Sequence, residues 1–470
     1  MPVNSFEDYY MSWKPEKEKL DRPYYLSLAQ QLEQDITEGR LPENTKLPPQ
    51  RELADFLDLN LSTITRAYKL CELKGLLYGV TGSGTFVSPG TRSKDTFLDN
   101  GGSQGSSLIE MGMIKPFYET DSVVRDTART ILEQRDSCSL FEYSNPLGTE
   151  RQLHAARLWL QKQGVDVGSN NLMIVAGAQN ALSVILISLF KAGDKIAVDE
   201  FTYTNFKSLA NLLSIQLIAV EGDECGMLPE ALGFLCRSTG LKGVYLMPSC
   251  SNPTGIFMSQ SRREELAQII RKHQLLVIED DIYSFLAPAG TRSFFSLLPE
   301  NTLHICSISK SLCAGLRVAF LAFPKQLREP LVSGMLCINL KTVSLNAEII
   351  AELILSGRAD KVSEEKIALA KRRNCIFKKL FPAEKEDIPR FFHWVQLPEE
   401  LRSQEAELLA LHRGLHILGS HRFAMGKQNS SAYIRISIVS PRSEEELERG
   451  LMLLKEILRR EQCRSEDFYC

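Results

Sequence analysis

The sequence predicts an α/β chain in two folded parts. An N-terminal winged helix-turn-helix precedes a mostly parallel central sheet that ends in a smaller C-terminal α+β subdomain. Three observations predict it. Over residues 21–88, three short helical patterns are followed by two strands around a glycine-rich turn. A polar, Gly- and Ser-rich stretch over 89–107 then interrupts the pattern and reads as a flexible linker. From Leu108 to about residue 463, short continuous apolar runs alternate with helical segments, as in a sheet covered on both faces.

Length and composition bound the rest. A chain of 470 residues exceeds one ordinary core, so two or more domains are expected. Hydrophobic content of 44% and charged content of 24% are those of a globular protein. No run of eighteen apolar residues and no secretory leader is present, which predicts a cytoplasmic protein with no membrane partner. Eleven cysteines without a C-x-x-C pair argue for reduced thiols, and against disulfides or a bound metal. The formal net charge of −3 gives no whole-chain signal for nucleic acid, so any DNA contact must be local.

In the first part, Leu28, Leu32 and Ile36 form a stripe at four-residue spacing, closed by Gly39 and Pro42. A second helix over 51–57 is entered through Pro48 and Pro49. A third follows Asn60-Leu61-Ser62, with Ser62 as its N-cap, and reaches about Leu73. Residues 76–78 and 85–87 read as the strands of a wing. A recognition helix lies in the major groove with its first residues at the base edges, which places Ser62, Thr63, Thr65 and Arg66 on DNA. Arg66 can fork onto guanine or grip a phosphate, and the hydroxyls orient the helix on phosphates. Gly82 and Gly84 permit a tight wing tip close to the minor groove. Over residues 21–90, seven Lys and Arg stand against nine Asp and Glu, a net of −2, so one head should bind DNA poorly and two are needed.

In the second part, the runs NLMIVAG, DKIAVDE, SIQLIAV, KGVYLMP, QLLVIED, LHICSIS and VAFLAFP read as strands. After about residue 340, long helices, then HWVQLP and YIRISIV as strands, then SEEELERGLMLLKEILRR as a helix, outline the C-terminal subdomain. Gly177, Ala178 and Gln179 follow a strand and open a helix, whose N–H groups are a natural seat for phosphate.

Two stretches carry resemblances. NTKLPPQRELADFLDLNLSTITRAYKLCELKGLL, followed by GSGTFV, resembles the GntR family of winged-helix regulators, with Leu61 where that family often has Arg. The resemblance implies that Arg51 reaches the DNA backbone. SISKSLCAGLR resembles the signature of the class I aminotransferases, fold-type I pyridoxal-phosphate proteins. It implies pyridoxal phosphate held as a Schiff base on Lys310, which requires a neutral amine. It further implies Ser307 and Arg317 on the phosphate, Tyr203 stacked on the ring, and Asn252 and Tyr283 on the phenolic oxygen. Asp280 would face the ring nitrogen, with Asp281 as the rival for that role. Tyr143 would reach the phosphate of a partner subunit, and Arg435 would clamp an effector carboxylate. The union of both halves resembles the MocR subfamily. It implies a homodimer with swapped heads, a double-stranded DNA operator, and an amino acid or amine as effector. Two alternatives stay open: a sensor of pyridoxal phosphate itself, and a catalytically active aminotransferase carrying an appended head.

Overall fold

A computed structural model describes residues 11–17, 20–37, 40–42, 45–74, 76–80, 84–88, 108–134, 137–382, 388–399, 401–425 and 432–466. They form two compact units, an N-terminal head and a larger body. The expected linker over 89–107 and the wing glycine Gly82 lie outside the described residues.

The head has helices α1 (Tyr24–Thr37), α2 (Gln50–Leu57) and α3 (Leu61–Leu73), then strands β1 (Leu77–Val80) and β2 (Gly84–Val87). The stripe Leu28, Leu32 and Ile36 is buried on α1, against Leu53 and Leu57 of α2 and Ile64 and Ala67 of α3. The two strands pair antiparallel, Leu77 opposite Val87. Residues 45–47 add a third row to this wing: Leu47 donates its N–H to Thr85 (2.8 Å) and Val87 donates to Thr45 (3.0 Å). Trp13 and Leu20 belong to the same core, and the Trp13 indole donates to Asp35 at 2.7 Å. The expected N-cap is corrected. Thr63 donates its N–H to the Asn60 carbonyl at 2.8 Å, so the helix begins at Leu61 and Asn60 is the cap. Ser62 is the second helical residue, with an exposed side chain.

All seven apolar runs became strands of one sheet. They are β3 (Leu172–Val175), β4 (Lys195–Asp199), β5 (Gln216–Val220), β6 (Gly243–Leu246), β7 (Leu276–Asp280), β8 (Thr302–Ser307) and β9 (Ala319–Ala322). Their order is β3-β9-β8-β7-β6-β4-β5. Every residue of β3, β6, β8 and β9 is buried, which is why β3 and β9 are continuously apolar rather than alternating, while β8 also buries the polar Thr302, His304 and Ser307. β4, β6, β7 and β8 run parallel, and β9 is antiparallel to both β8 and β3. β3 therefore points the same way as β8, and the C-terminal ends of five strands share one edge, where open α/β sheets carry their ligands. Two helices flank β3: α4 (Glu150–Lys162) and α5 (Ala178–Leu189). The first is held by a capping box between Thr149 and Gln152.

In the C-terminal subdomain, helix α6 (Arg358–Leu380) precedes β10 (Phe392–Gln396), β11 (Leu418–Gly419) and β12 (Tyr433–Ser437). These form an antiparallel sheet in the order β10-β12-β11, and helix α7 (Glu444–Glu466) closes the chain.

Candidate cofactor site and recognition helix

The C-terminal edge of the large sheet gathers most of the expected residues. Gly177 follows β3, Tyr203 follows β4, Asn252 follows β6, Asp280 ends β7, and Ser307 ends β8 with Lys310 three residues on.

Gly177 is the N-cap of α5 with φ of +84°, a left-handed conformation that glycine tolerates. A Cβ there would lie 2.7 Å from Nη2 and 3.0 Å from Cζ of Arg317, so the missing side chain is the space the guanidinium occupies. Arg317 itself has φ of +50°, uncommon outside glycine. No side chain caps α5, and the Oε1 of Gln179 is buried with no hydrogen-bond partner among the described residues. Ser307 is buried, its Oγ 2.9 Å from that of Ser309. Uncapped helix N–H groups, an arginine fork and a buried hydroxyl together suit a phosphate.

Asp280 is 2% exposed. The Tyr245 hydroxyl donates to its Oδ2 at 2.9 Å, while Oδ1 has no partner among the described residues. Burial raises its pKa to about 7 against the Tyr245 hydrogen bond, and Asp281 pushes the same way as burial. Asp280 also lifts the Tyr203 hydroxyl, which burial raises first, to about 12. Asp281 belongs to a different set. Ser249 donates to it at 3.0 Å, and its electrostatic neighbours are Glu279, Arg263 and His304. Of the two adjacent acids, Asp280 is thus the one that shares its surroundings with Tyr203.

Lys310 is half-buried and donates to the Ile114 carbonyl at 2.5 Å. Burial, then Arg435 and Arg317, lower its pKa to about 7. An amine in that range is largely neutral near physiological pH, as nucleophilic attack on an aldehyde requires. Arg435, at the centre of β12 and 2% exposed, donates from Nη1 to Asn252 at 2.6 Å and from Nη2 to the Gly112 carbonyl at 2.7 Å. Its Nε has no partner among the described residues. Burial lowers its pKa to about 10, and the rings of Phe423 (4.8 Å) and Phe392 (5.7 Å) wall it in. Tyr283 is buried between Phe391 and Phe392, and burial holds its hydroxyl well above the ordinary phenol range.

Tyr143 stands apart from this group, 90% exposed on the surface of the body. Two contributors escaped the sequence analysis. One is Tyr245, whose signal was a lone hydroxyl in an aliphatic strand, since a buried tyrosine needs a partner. The other is the segment 109–115. Its first residues pair with Leu415–His416, and Glu110 accepts the N–H groups of Gly112 and Met113 at 2.8 Å and faces His416 at 2.9 Å. Nothing in its composition marks it, because it contributes through backbone carbonyls.

In the head, Arg51, Ser62, Thr65 and Arg66 are exposed and Thr63 is half-buried. The Thr65 hydroxyl donates to Gln50 at 2.8 Å, and the Arg66 guanidinium lies 5.8 Å from the centre of the Tyr25 ring. Gly84, with φ of +123°, begins the second wing strand, its Cα hydrogen face against the Lys46 side chain.

Residues 114–453 match the family described as aminotransferase class I and II, and residues 24–87 match the bacterial regulatory proteins of the gntR family. The chain belongs to the class I and II aminotransferase family and carries a gntR-type head. This union is the MocR arrangement expected from the sequence. A relative from Bacillus subtilis (strain 168), the uncharacterized HTH-type transcriptional regulator YdeF, is 39% identical over 97% of this chain and 99% of its own. A second from that organism, YdfD, is 27% identical over 96% of this chain and 100% of its own. Among solved structures, the Pyrococcus horikoshii kynurenine aminotransferase in complex with PMP superposes with a TM-score of 0.69 at 22% identity, covering 76% of this chain and 92% of that one. The α-aminoadipate aminotransferase LysN of Thermus thermophilus gives 0.67 at 22% identity, covering 75% and 92%. These two likenesses establish the fold-type I architecture. Among the described residues, no helix is long and apolar enough to cross a membrane, and no disulfide joins the described cysteines.

Proposed function

We propose that the chain is a transcription regulator. Its head binds an operator, and its body binds pyridoxal phosphate on Lys310 and responds to an amino acid or amine. The observation that carries this is the unpartnered, buried Oδ1 of Asp280 on the same strand edge as the Gly177–Arg317 cradle. A buried carboxylate oxygen left unbonded is costly unless something donates to it, and a pyridine N–H is such a donor. The residues therefore fit the cofactor at both its nitrogen and its phosphate.

Bound there, pyridoxal phosphate supplies an aldehyde for a primary amine and an electron-withdrawing ring. Lys310 presents a neutral amine to it. Gly177, Ala178 and Gln179 would offer backbone N–H groups to the phosphate, with Ser307 and Arg317 beside them. Tyr203 would cover a ring face, and Asn252 and Tyr283 would hold the phenolic oxygen. Arg435 would take an effector carboxylate on its remaining N–H groups. The regulator is a homodimer with swapped heads, which brings Tyr143 to the partner's phosphate and supplies two heads against the head's unfavourable charge. An effector alters operator binding by favouring one arrangement of the heads over another, through differential affinity.

The test is operator binding with and without candidate amino acids and amines, on the wild type and on Lys310→Ala. A response that Lys310→Ala abolishes is expected, and identical responses in both proteins sink the proposal. Turnover as an aminotransferase is the second reading, favoured by the complete set of cofactor and carboxylate residues. Sustained oxo-acid production would support it.

A further inference from the structure

Asp280 and Asp281 are adjacent and both almost fully buried. Each accepts one side-chain hydrogen bond on Oδ2, from Tyr245 and Ser249 respectively, and the Oδ1 of each has no partner among the described residues. Their surroundings, and not their bond counts, tell them apart. Asp281 faces Arg263 and the Glu279–His304 pair rather than Tyr203. Ser249 donates to it, Arg263 reaches Ser249 at 3.4 Å, and neighbouring Glu279 accepts the N–H groups of Phe294 (2.7 Å) and Phe295 (3.1 Å) and faces His304 at 2.8 Å. Asp280 has one hydrogen-bond donor among the described residues, the hydroxyl of Tyr245. That hydroxyl is itself fixed. Tyr245 sits in β6, which pairs with β7, it is 1% exposed, and its ring stacks on Phe206 at 3.8 Å and 11°.

We propose that Tyr245 is a positioning residue for the cofactor nitrogen: by binding Oδ2 it fixes the Asp280 carboxylate so that the free Oδ1 serves the ring nitrogen. This rests on the cofactor assignment above. A carboxylate with a single donor can rotate or protonate once that donor is lost. A donor that cannot ionise keeps its role at every working pH. Burial holds the Tyr245 hydroxyl well above the ordinary phenol range, so it stays protonated and donates. The other groups that bear on Asp280 are Asp281, which favours its neutral form, and His304, which favours its charged form. Neither is hydrogen-bonded to it. Loss of the Tyr245 bond would therefore shift Asp280 toward the neutral acid, and a neutral acid no longer stabilises a protonated pyridine nitrogen.

The experiment uses the full chain and pyridoxal phosphate itself. Affinity is read by absorbance titration, and the protonation of the ring nitrogen by nitrogen NMR on ring-labelled cofactor near neutral pH. Tyr245→Phe is expected to weaken cofactor binding about tenfold or more and to move the nitrogen signal toward the neutral pyridine. Ser249→Ala, which releases Asp281 instead, is expected to leave the nitrogen signal in place. Should Tyr245→Phe fail to fold, Phe206→Leu keeps the hydroxyl and removes its ring support, and is expected to shift both readouts the same way by less. Wild-type affinity and wild-type nitrogen protonation in the folded variant overturn the role of Tyr245. Failure of the wild type to bind cofactor, or Asp280→Asn binding as well as wild type, instead overturns the cofactor assignment beneath it.

Discussion

Gly177→Ala changes one hydrogen to a methyl and should disable the phosphate cradle. The added Cβ would stand 2.7 Å from the Arg317 Nη2, well inside contact distance, so the guanidinium must leave its place. The backbone also resists, because φ of +84° with ψ of 169° is a region essentially confined to glycine and costs another residue roughly 1–3 kcal/mol. A charge-assisted hydrogen bond from Arg317 to phosphate is worth about 1.5–3 kcal/mol. The two parts separate experimentally. Backbone strain lowers the stability of the cofactor-free protein, a melting shift of a few degrees for a body of this size. Displacement of Arg317 lowers cofactor affinity by roughly ten- to a hundredfold. Thermal unfolding without cofactor and absorbance titration with it measure each. A Gly177→Ala protein that binds pyridoxal phosphate like the wild type would refute the cradle, whatever its melting temperature.

Three further outcomes are expected. With the Lys310 amine near pKa 7, the rate of cofactor attachment should climb as pH rises through about 7 and then level off, because the neutral amine is already the majority. A rate still climbing toward pH 10, the range of an ordinary lysine, would contradict this. Arg435→Lys removes a planar fork, so spectroscopic titration should show amino-acid effectors weakened about tenfold while amines without a carboxylate are little changed. Arg66→Ala should weaken operator binding and reduce its salt slope by about one, read by binding assays across salt concentrations.

The sheet was legible because burial on both faces leaves strands that are apolar at every position, as the fully buried Leu172–Val175 and Ala319–Ala322 show. The cofactor residues were legible for a related reason. Most sit at or just beyond strand ends, where chain order fixes their place along one edge. Signals that depend on geometry across the chain were not. The Tyr245 hydroxyl matters only because Asp280 lies on the paired strand, and residues 45–47 join the wing through backbone bonds that leave no side-chain pattern. Ser62 misled as a cap because serine's preference for that position is local. Asn60 takes the position through its backbone carbonyl alone.

The segment 109–115 has a consequence for how the body can be handled. Its Gly112 and Ile114 carbonyls are the partners of Arg435 and Lys310, and its Met111 carbonyl accepts the N–H of Ser437 at 2.6 Å. In sequence these residues come immediately after the stretch that joins head to body. A cut intended to liberate the body therefore has little room for error. A fragment beginning at Leu108 keeps the carbonyl oxygens that accept from Arg435 and Lys310, whereas one beginning at Lys115 strips them away. The second fragment could be mistaken for evidence that the head is needed for cofactor chemistry, when only seven residues of backbone are missing.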